Sequence, residues 1–248
     1  MNTLTRKKIP SQIAIIADIH ANLEALTAVM TDISRQNVQQ IYCLGDVVGY
    51  GPNPCECLDI AMTFSICLMG DHDKLALEGE SENPIAQRLI LWTRRQLSTV
   101  SQDCNDADRR RHFLRTLPLT HTENGTMFLH GSPRDPLNEY LFPELVFDSS
   151  RLDDIFSLVN HCCFIGHTHM PGIFTPDGEF FTPEQIDGVW RIKVGTKMMC
   201  NVGSVGQPRD SDCRACYCLY DGDRITFRRV DYDFDSTIRK INDLFPPQ

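Results

Sequence analysis

Five of the eight histidines, His20, His72, His130, His167 and His169, stand close behind short apolar runs and beside a glycine or an aspartate. Ile13-Ala14-Ile15-Ile16-Ala17 leads to Asp18-Ile19-His20, Ile41-Tyr42-Cys43-Leu44 to Gly45-Asp46, and Ile66-Cys67-Leu68-Met69 to Gly70-Asp71-His72-Asp73. Thr126-Met127-Phe128-Leu129 leads to His130-Gly131, and Cys162-Cys163-Phe164-Ile165 to Gly166-His167-Thr168-His169. Imidazoles mixed with carboxylates and no thiolate suit borderline divalent ions such as Mn, Fe, Ni, Co or Zn better than Ca or Mg. Asp18, His20, Asp46, Asp71, His72, His130, His167 and His169 are too many ligands for one ion and suit two. An aspartate between two ions roughly 3.5–4 Å apart can bridge them, and such a pair activates water and clamps phosphoryl oxygens. In extended chain, the i, i+2 spacing of Asp18/His20 and of His167/His169 points both members of each pair the same way. His112, His121 and His161 follow no such pattern and read as surface or edge residues.

The elements that must position these groups read as strand, glycine turn, helix, repeated, which is an α/β pattern. In open α/β sheets the carboxyl ends of strands gather at one edge, where ligands bind. Asn22 is placed to cap a helix with Leu23, Leu26, Met30 and Ile33 on its apolar face. From about 74 to 117 the pattern turns helical, with Asn83 as cap, Pro84 in the first turn and Ile85, Leu89 and Trp92 on one face. A second helix is predicted from about Asp106 to Arg115. This segment reads as a helical insertion or lid within one domain spanning 1–248, and its seven arginines as mainly a solvated face. The second half is β-rich, with hairpin turns at Pro176-Asp177-Gly178 and Asp221-Gly222-Asp223. A last helix is predicted near Ser236 to Leu244, with Ile238, Ile241 and Phe245 inward.

At 248 residues with 42% hydrophobic and 23% charged content, the chain is long enough to bury a full core. The net charge of −9 argues against an extended nucleic-acid face. It does not exclude a small or nucleotide-like phosphate ester, because bound metal ions reverse the local field. No run approaches the roughly 20 apolar residues that span a bilayer. Arg6-Lys7-Lys8 reads as a solvated lead-in, so a cytoplasmic protein with no membrane partner is expected. The eleven cysteines are scattered, and Cys43, Cys67, Cys162, Cys163 and Cys200 lie inside apolar runs as small buried hydrophobes. Neither Cys55-x-Cys57 nor Cys213-x-x-Cys216-x-Cys218 has the partners a structural zinc needs.

In order and spacing, Asp18-x-His20, Gly45-Asp46-x-x-Gly49, Gly70-Asp71-His72-Asp73, His130-Gly131 and Gly166-His167-Thr168-His169 resemble the calcineurin-like metallophosphoesterase superfamily. Gly49-Tyr50-Gly51-Pro52-Asn53-Pro54, His130-Gly131-Ser132-Pro133 and the stretch from Asn201 to Asp210 resemble its small prokaryotic phosphodiesterase branch. The resemblance implies a four-layer αββα sandwich of two mixed sheets flanked by helices. It implies one metal on Asp18, His20, Asp46 and His169, and a second on Asp46, Asp71, His130 and His167, with Asp46 bridging. It further implies hydrolysis of a phosphate ester by a metal-bridging hydroxide, with His72 unligated, touching the phosphate and protonating the departing oxygen.

The sequence departs from that pattern twice. The superfamily usually has Asn where this chain has Asp71, which lowers the formal charge of a loaded site from about +2 to about +1. The Asp-Arg pair that follows the bridging aspartate in protein Ser/Thr phosphatases is here Gly49-Tyr50, which disfavours that mechanism. Arg209, Tyr50 and Asn53 are the candidate phosphate contacts in its place. Phosphomonoesters and dinucleoside polyphosphates are alternative substrates. A scaffold of the same fold with weak or no activity is the competing reading, and the intact histidine positions argue against it.

Overall fold

The layers of the molecule follow from strict alternation along its strands. In β1 (Gln12–Ile16) and the residue after it, Ile13, Ile15 and Ala17 face one core while Ala14 and Ile16 face another. The same odd–even division sends Cys162 and Phe164 of β6 (Cys162–Ile165) inward and Cys163 and Ile165 outward. In β11 (Ala215–Tyr220) Cys216, Cys218 and Tyr220 go one way, Ala215, Tyr217 and Leu219 the other. A strand apolar on both faces must be covered on both, and burial of each large side chain contributes roughly 1.5–3 kcal/mol. The inner residues of both sheets form one shared core, and each outer face carries its own helical cover. The result is an αββα sandwich, the fold that the family resemblance implies. The computed structural model describes residues 12–79, 84–98 and 105–244, with backbone alone at 84–86 and 105.

One sheet has the order β3 (Ile66–Cys67), β2 (Val38–Cys43), β1, β11, β12 (Arg224–Val230) and β9 (Val189–Arg191). The other has β4 (Thr120–Glu123), β5 (Thr126–Leu129), β6, β10 (Met198–Asn201), β7 (Gly172–Phe174) and β8 (Phe180–Phe181). Strands β1, β2 and β3 are mutually parallel, as are β5, β6 and β10, and the remaining pairings are antiparallel. Helices α1 (Leu23–Ser34) and α2 (Pro54–Ala61) cover the first sheet, and α6 (Ser149–Leu158) covers the second. Asn22 caps α1 by accepting from the Ala25 amide at 3.1 Å. The buried face of α1 is Ala25, Leu26, Val29 and Ile33, so the expected Leu23 and Met30 sit at its flanks.

Helices α3 (Asp71–Glu78), α4 (Pro84–Ser98) and α5 (Asn105–Thr116) add Ala76, Leu97 and Leu114 to the core under α1 and α2. Helix α3 starts at Asp71, ahead of the helical segment read from about 74. The buried positions of α4 are Ile90, Thr93 and Leu97, with Leu89 and Trp92 half-buried beside them. Its apolar seam is therefore turned from the predicted one. The expected cap Asn83, the Ile85 side chain, Phe245 and Arg6-Lys7-Lys8 lie outside the described residues. Among the arginines of this segment, Arg109 and Arg110 pair with Asp59 on α2 and Arg111 with Asp108.

The last helix, α7 (Phe234–Leu244), differs most from expectation: Thr237 is its buried residue, and Ile238 is 38% exposed. Cys213 is exposed while Cys216 and Cys218 enter the inter-sheet core, so the three do not converge on a metal. No helix among the described residues is long and apolar enough to cross a membrane.

Candidate metal centre

All six parallel strands end at the same edge, and each is followed by a loop that reaches the centre. Asp18 and His20 follow β1, Asp46 follows β2, and Asp71 and His72 follow β3. His130 follows β5, His167 and His169 follow β6, and the loop from Val202 to Gln207 follows β10. Main-chain bonds zip these loops together. Asp18 N donates to Gly45 O at 3.0 Å, His20 N to Asp46 O at 2.9 Å, and Gly166 N to His130 O at 2.9 Å. Ser204 Oγ donates to Asp18 O at 2.8 Å, and Asn201 Nδ2 to Gly166 O at 2.7 Å. Gly70 is required where it stands, because a Cβ there would lie 2.2 Å from Asp46 N.

The i, i+2 pairs do not converge by lying in extended chain. Asp18, His20, Asp46, His167 and His169 all have left-handed backbones, with φ of 54°, 47°, 55°, 69° and 62°. Such values are uncommon outside glycine and cluster where surrounding structure forces them. The strand ends at Ile16 or Ile165, and the chain then coils tightly enough to turn both members of a pair inward.

Two groups of side chains result. Asp46, Asp71, His130 and His167 present one ligand atom each within 4.8 Å of one another, as do Asp18, His20 and His169. Asp46 stands between the groups, its Oδ2 lying 3.6 Å from His20 Nε2 and 3.5 Å from His130 Nε2. His72 lies outside both groups, its ring centroid 4.4 Å from that of Tyr50 and 5.1 Å from that of His20. Its amide donates to Asp46 Oδ1 at 2.9 Å.

The donor set suits cations on a specific observation. Each of the four imidazoles in the two groups turns its outer nitrogen to a main-chain carbonyl. His20 Nδ1 faces Val48 O at 3.3 Å, His130 Nδ1 Leu44 O at 3.0 Å, His169 Nδ1 Gln207 O at 2.6 Å, and His167 Nε2 Asn138 O at 3.3 Å. A carbonyl only accepts, so the N–H of a neutral ring must be there and the inner nitrogen is a bare lone pair. Yet His20 Nε2 and His169 Nε2 face each other at 3.0 Å, and His130 Nε2 and His167 Nδ1 each lie 3.2 Å from Asp71 Oδ1. Lone pairs aimed at lone pairs and at carboxylate oxygens repel unless a cation stands between them. Outer nitrogens held on carbonyls are also how metal-bound histidines are oriented.

The electrostatics agree. Burial pushes the Asp18 and Asp46 carboxyls well above the ordinary carboxylate range. Burial pulls the His20, His130 and His169 imidazoles below theirs, His169 to about 3, which keeps them in the neutral ligand form.

Of the candidate phosphate contacts, the structure brings Arg209 and Tyr50 to the centre. The Arg209 charge acts on Asp18, His20, Tyr50, His72 and His169. The Asn53 amide instead donates to Glu56 Oε1 at 3.2 Å and accepts from Lys240 Nζ at 3.0 Å, next to α7.

Three contributors were not singled out from the sequence. Buried Asp73 accepts from Val48 N and Gly70 N, both at 3.1 Å, and so fixes the loop that carries Asp46. Its signal was present as an acid at the third position of a helix, which can reach back to the cap amide. Tyr140 stacks on His167 with centroids 3.6 Å apart. Glu139, next to it, binds Ser132, Arg134 and Arg151 and so anchors the loop whose Asn138 carbonyl orients His167. Neither carries a local pattern, because both act through a loop closed only by the fold.

Glu139 also yields a pH-dependent expectation. Burial raises its carboxyl, but Arg134, Ser132 and Arg151 outweigh this and hold it at about 2, against an ordinary 4.5. A depressed carboxyl contributes stability that is complete at neutral pH and drains away as pH falls from about 4.5 toward 2. Glu139→Gln is expected to cost on the order of 1–2 kcal/mol at neutral pH, discounted for the partly exposed arginines. Urea melts of wild type and variant should converge in acid, and a gap that persists there would refute the assignment.

Residues 12–224 match the model of the calcineurin-like phosphoesterase superfamily domain. The chain is 36% identical over 244 residues to an uncharacterized protein of Methanocaldococcus jannaschii, covering 94% of this chain and 93% of that one. Among solved structures, it is similar to a metallophosphoesterase from Sphaerobacter thermophilus at 33% identity and TM-score 0.81, covering 96% and 95% of the two chains. A hypothetical protein of Pyrococcus horikoshii shares the fold at TM-score 0.74 and 19% identity, with 96% and 94% covered.

Proposed function

Since the chain belongs to the calcineurin-like phosphoesterase superfamily, we propose that it is a dinuclear metal-dependent phosphodiesterase. The observation that carries this reading is the set of four imidazoles whose outer nitrogens are tied to carbonyls and whose inner nitrogens face one another or Asp71. Asp18, His20 and His169 would hold one divalent transition-metal ion, Asp71, His130 and His167 the other, and Asp46 both. When bound, such ions supply Lewis acidity for activating water and neutralising phosphoryl oxygens.

The chain's own residues supply the rest. Hydrolysis adds the oxygen of water to phosphorus and a proton to the departing ester oxygen, breaking one P–O bond. His72 is the proton donor in this reading, since it borders both groups and belongs to neither. Its main chain is pinned on Asp46 and its ring lies against Tyr50 and His20. Burial lowers the His72 imidazole, while nearby Asp71 opposes that shift, and an arriving phosphoanion would raise it further toward the protonated form. Arg209 and Tyr50 would receive non-bridging oxygens, the guanidinium offering paired donors.

Metal analysis of the purified protein, with hydrolysis of bis-p-nitrophenyl phosphate under Mn, Fe, Ni, Co and Zn, tests this. Two bound ions with turnover are expected. No bound metal would overturn the reading, and two metals without turnover would favour a scaffold.

Asp71 makes a separate expectation. Its extra carboxylate charge weakens the pull on a phosphoanion, so Asp71→Asn should tighten inhibition by inorganic phosphate and raise kcat/KM on the order of tenfold. An unchanged inhibition constant and pH–rate profile would show that the charge is irrelevant.

A further inference from the structure

Beside the metal centre lies a cavity of about 200 Å³ that the reading above leaves without a role. It shares walls with the centre: His20 lines it, as does Gln207, whose carbonyl faces His169 Nδ1. Its other walls include Tyr50, Pro208, Tyr232, Phe234, Ile238 and Ile241. No Asp, Glu, Lys or Arg is among the residues that line it.

Helix α7 leaves part of its apolar side unburied along this cavity. The helix is docked through polar contacts: Thr237 Oγ1 donates to Asn22 Oδ1 at 3.1 Å, and Lys240 pairs with Glu24 and reaches Asn53 Oδ1 at 3.0 Å. These contacts dock α7 against the first turn of α1. Phe234 and Ile238 stay 45% and 38% exposed and turn toward the gap instead of filling it. An apolar recess opening beside convergent polar and charged groups is the usual form of a small-molecule site. Size and lining narrow the occupant: an apolar cavity of roughly 150 Å³ holds benzene, and aromatic walls favour flat rings.

We propose that this cavity receives an uncharged aromatic ring, a nucleobase or aryl group, carried on one ester arm of a phosphodiester whose phosphate lies on the metal centre. The proposal rests on the phosphodiesterase reading and adds the recognition of one arm. The lining offers no Lys or Arg to pair with a second phosphate.

Two measurements test it. The first compares kcat/KM for bis-p-nitrophenyl phosphate with that for methyl p-nitrophenyl phosphate, which keeps the leaving group and lacks the second ring. The ratio should exceed about ten in the wild type. It should fall at least about fivefold in Ile238→Arg, on the exposed side of α7, and in Ile241→Trp, which fills the recess. The second uses metal-free protein: Cys213 is exposed and lines the cavity, so adenosine should slow its alkylation by iodoacetamide, and should not do so in Ile241→Trp. Turnover with a ratio near one, unmoved by either variant, and no protection of Cys213 would overturn the pocket and leave the phosphodiesterase reading standing. Protection of Cys213 without turnover of any ester would support the pocket and count against hydrolysis.

Discussion

Replacement of Asp46 by alanine is expected to empty both metal positions and to lower phosphodiester turnover by about 10³-fold or more. Asp46 touches both groups: Oδ2 lies 3.6 Å from His20 Nε2 and 3.5 Å from His130 Nε2, while Oδ1 accepts from the His72 amide. Asp46 is buried, and its carboxyl is driven well above the ordinary range by burial first and by the charges of Asp71, Asp73 and Asp18 next. A charge in that position is tolerated only with a cation beside it. In the proposed centre, removal would therefore take a ligand from each ion, and it takes the acceptor from the first turn of α3. Asp46→Asn separates the two effects, because its amide oxygen still accepts from His72 N while the charge is gone. Metal content by mass spectrometry, circular dichroism and the bis-p-nitrophenyl phosphate assay read the outcome. Retention of both ions by the alanine variant, with activity within about tenfold of wild type, would contradict the bridging role.

The second large effect is expected at His72. His72→Asn should lower kcat for a dialkyl or nucleoside-type ester by about 10²–10⁴-fold, the ordinary worth of a positioned proton donor. Metal content should not change, since His72 belongs to neither ligand group. The loss should shrink for p-nitrophenyl esters, because p-nitrophenolate departs without a proton. That dependence on leaving group separates proton donation from simple crowding of the site. An equal loss for good and poor leaving groups would assign His72 to phosphate binding, and a loss of metal would assign it to the ligands.

Much of the architecture was legible because its causes are local. Apolar runs such as Ile13–Ala17 and Cys162–Ile165 mark strands covered on both faces, whereas the stacking of two sheets was legible only through the motifs' resemblance, since nothing local tells a second sheet from a layer of helices. The chemistry-bearing residues stand out because a strand must end before its loop can begin. Their backbone conformation was not legible: a left-handed Asp18 or His167 is imposed by bonds such as His20 N to Asp46 O, made across nearly thirty positions. The face of α4 was not legible because the helix packs on α2, α3 and α5, and propensity says nothing of which neighbour arrives. The apolar stripe of α7 predicts an inward-facing helix, whereas its docking on α1 runs through polar contacts at Asn22 and Glu24. Glu139 and Tyr140 acquire meaning only when their loop closes over His167.

The left-handed backbones at Asp18, His20, Asp46, His167 and His169 also bear on how such a centre can decay through mutation. Glycine fits those torsions at least cost, and Asn, Asp and His tolerate them far better than β-branched residues do. At these five positions the conformation and the ligand chemistry thus restrict the chain to nearly the same short set of residues. A lineage that ceased to use the metals would lose the pressure for a ligand but keep the pressure of the torsion. Its substitutions should drift toward glycine and asparagine first, leaving the fold intact and the site blank.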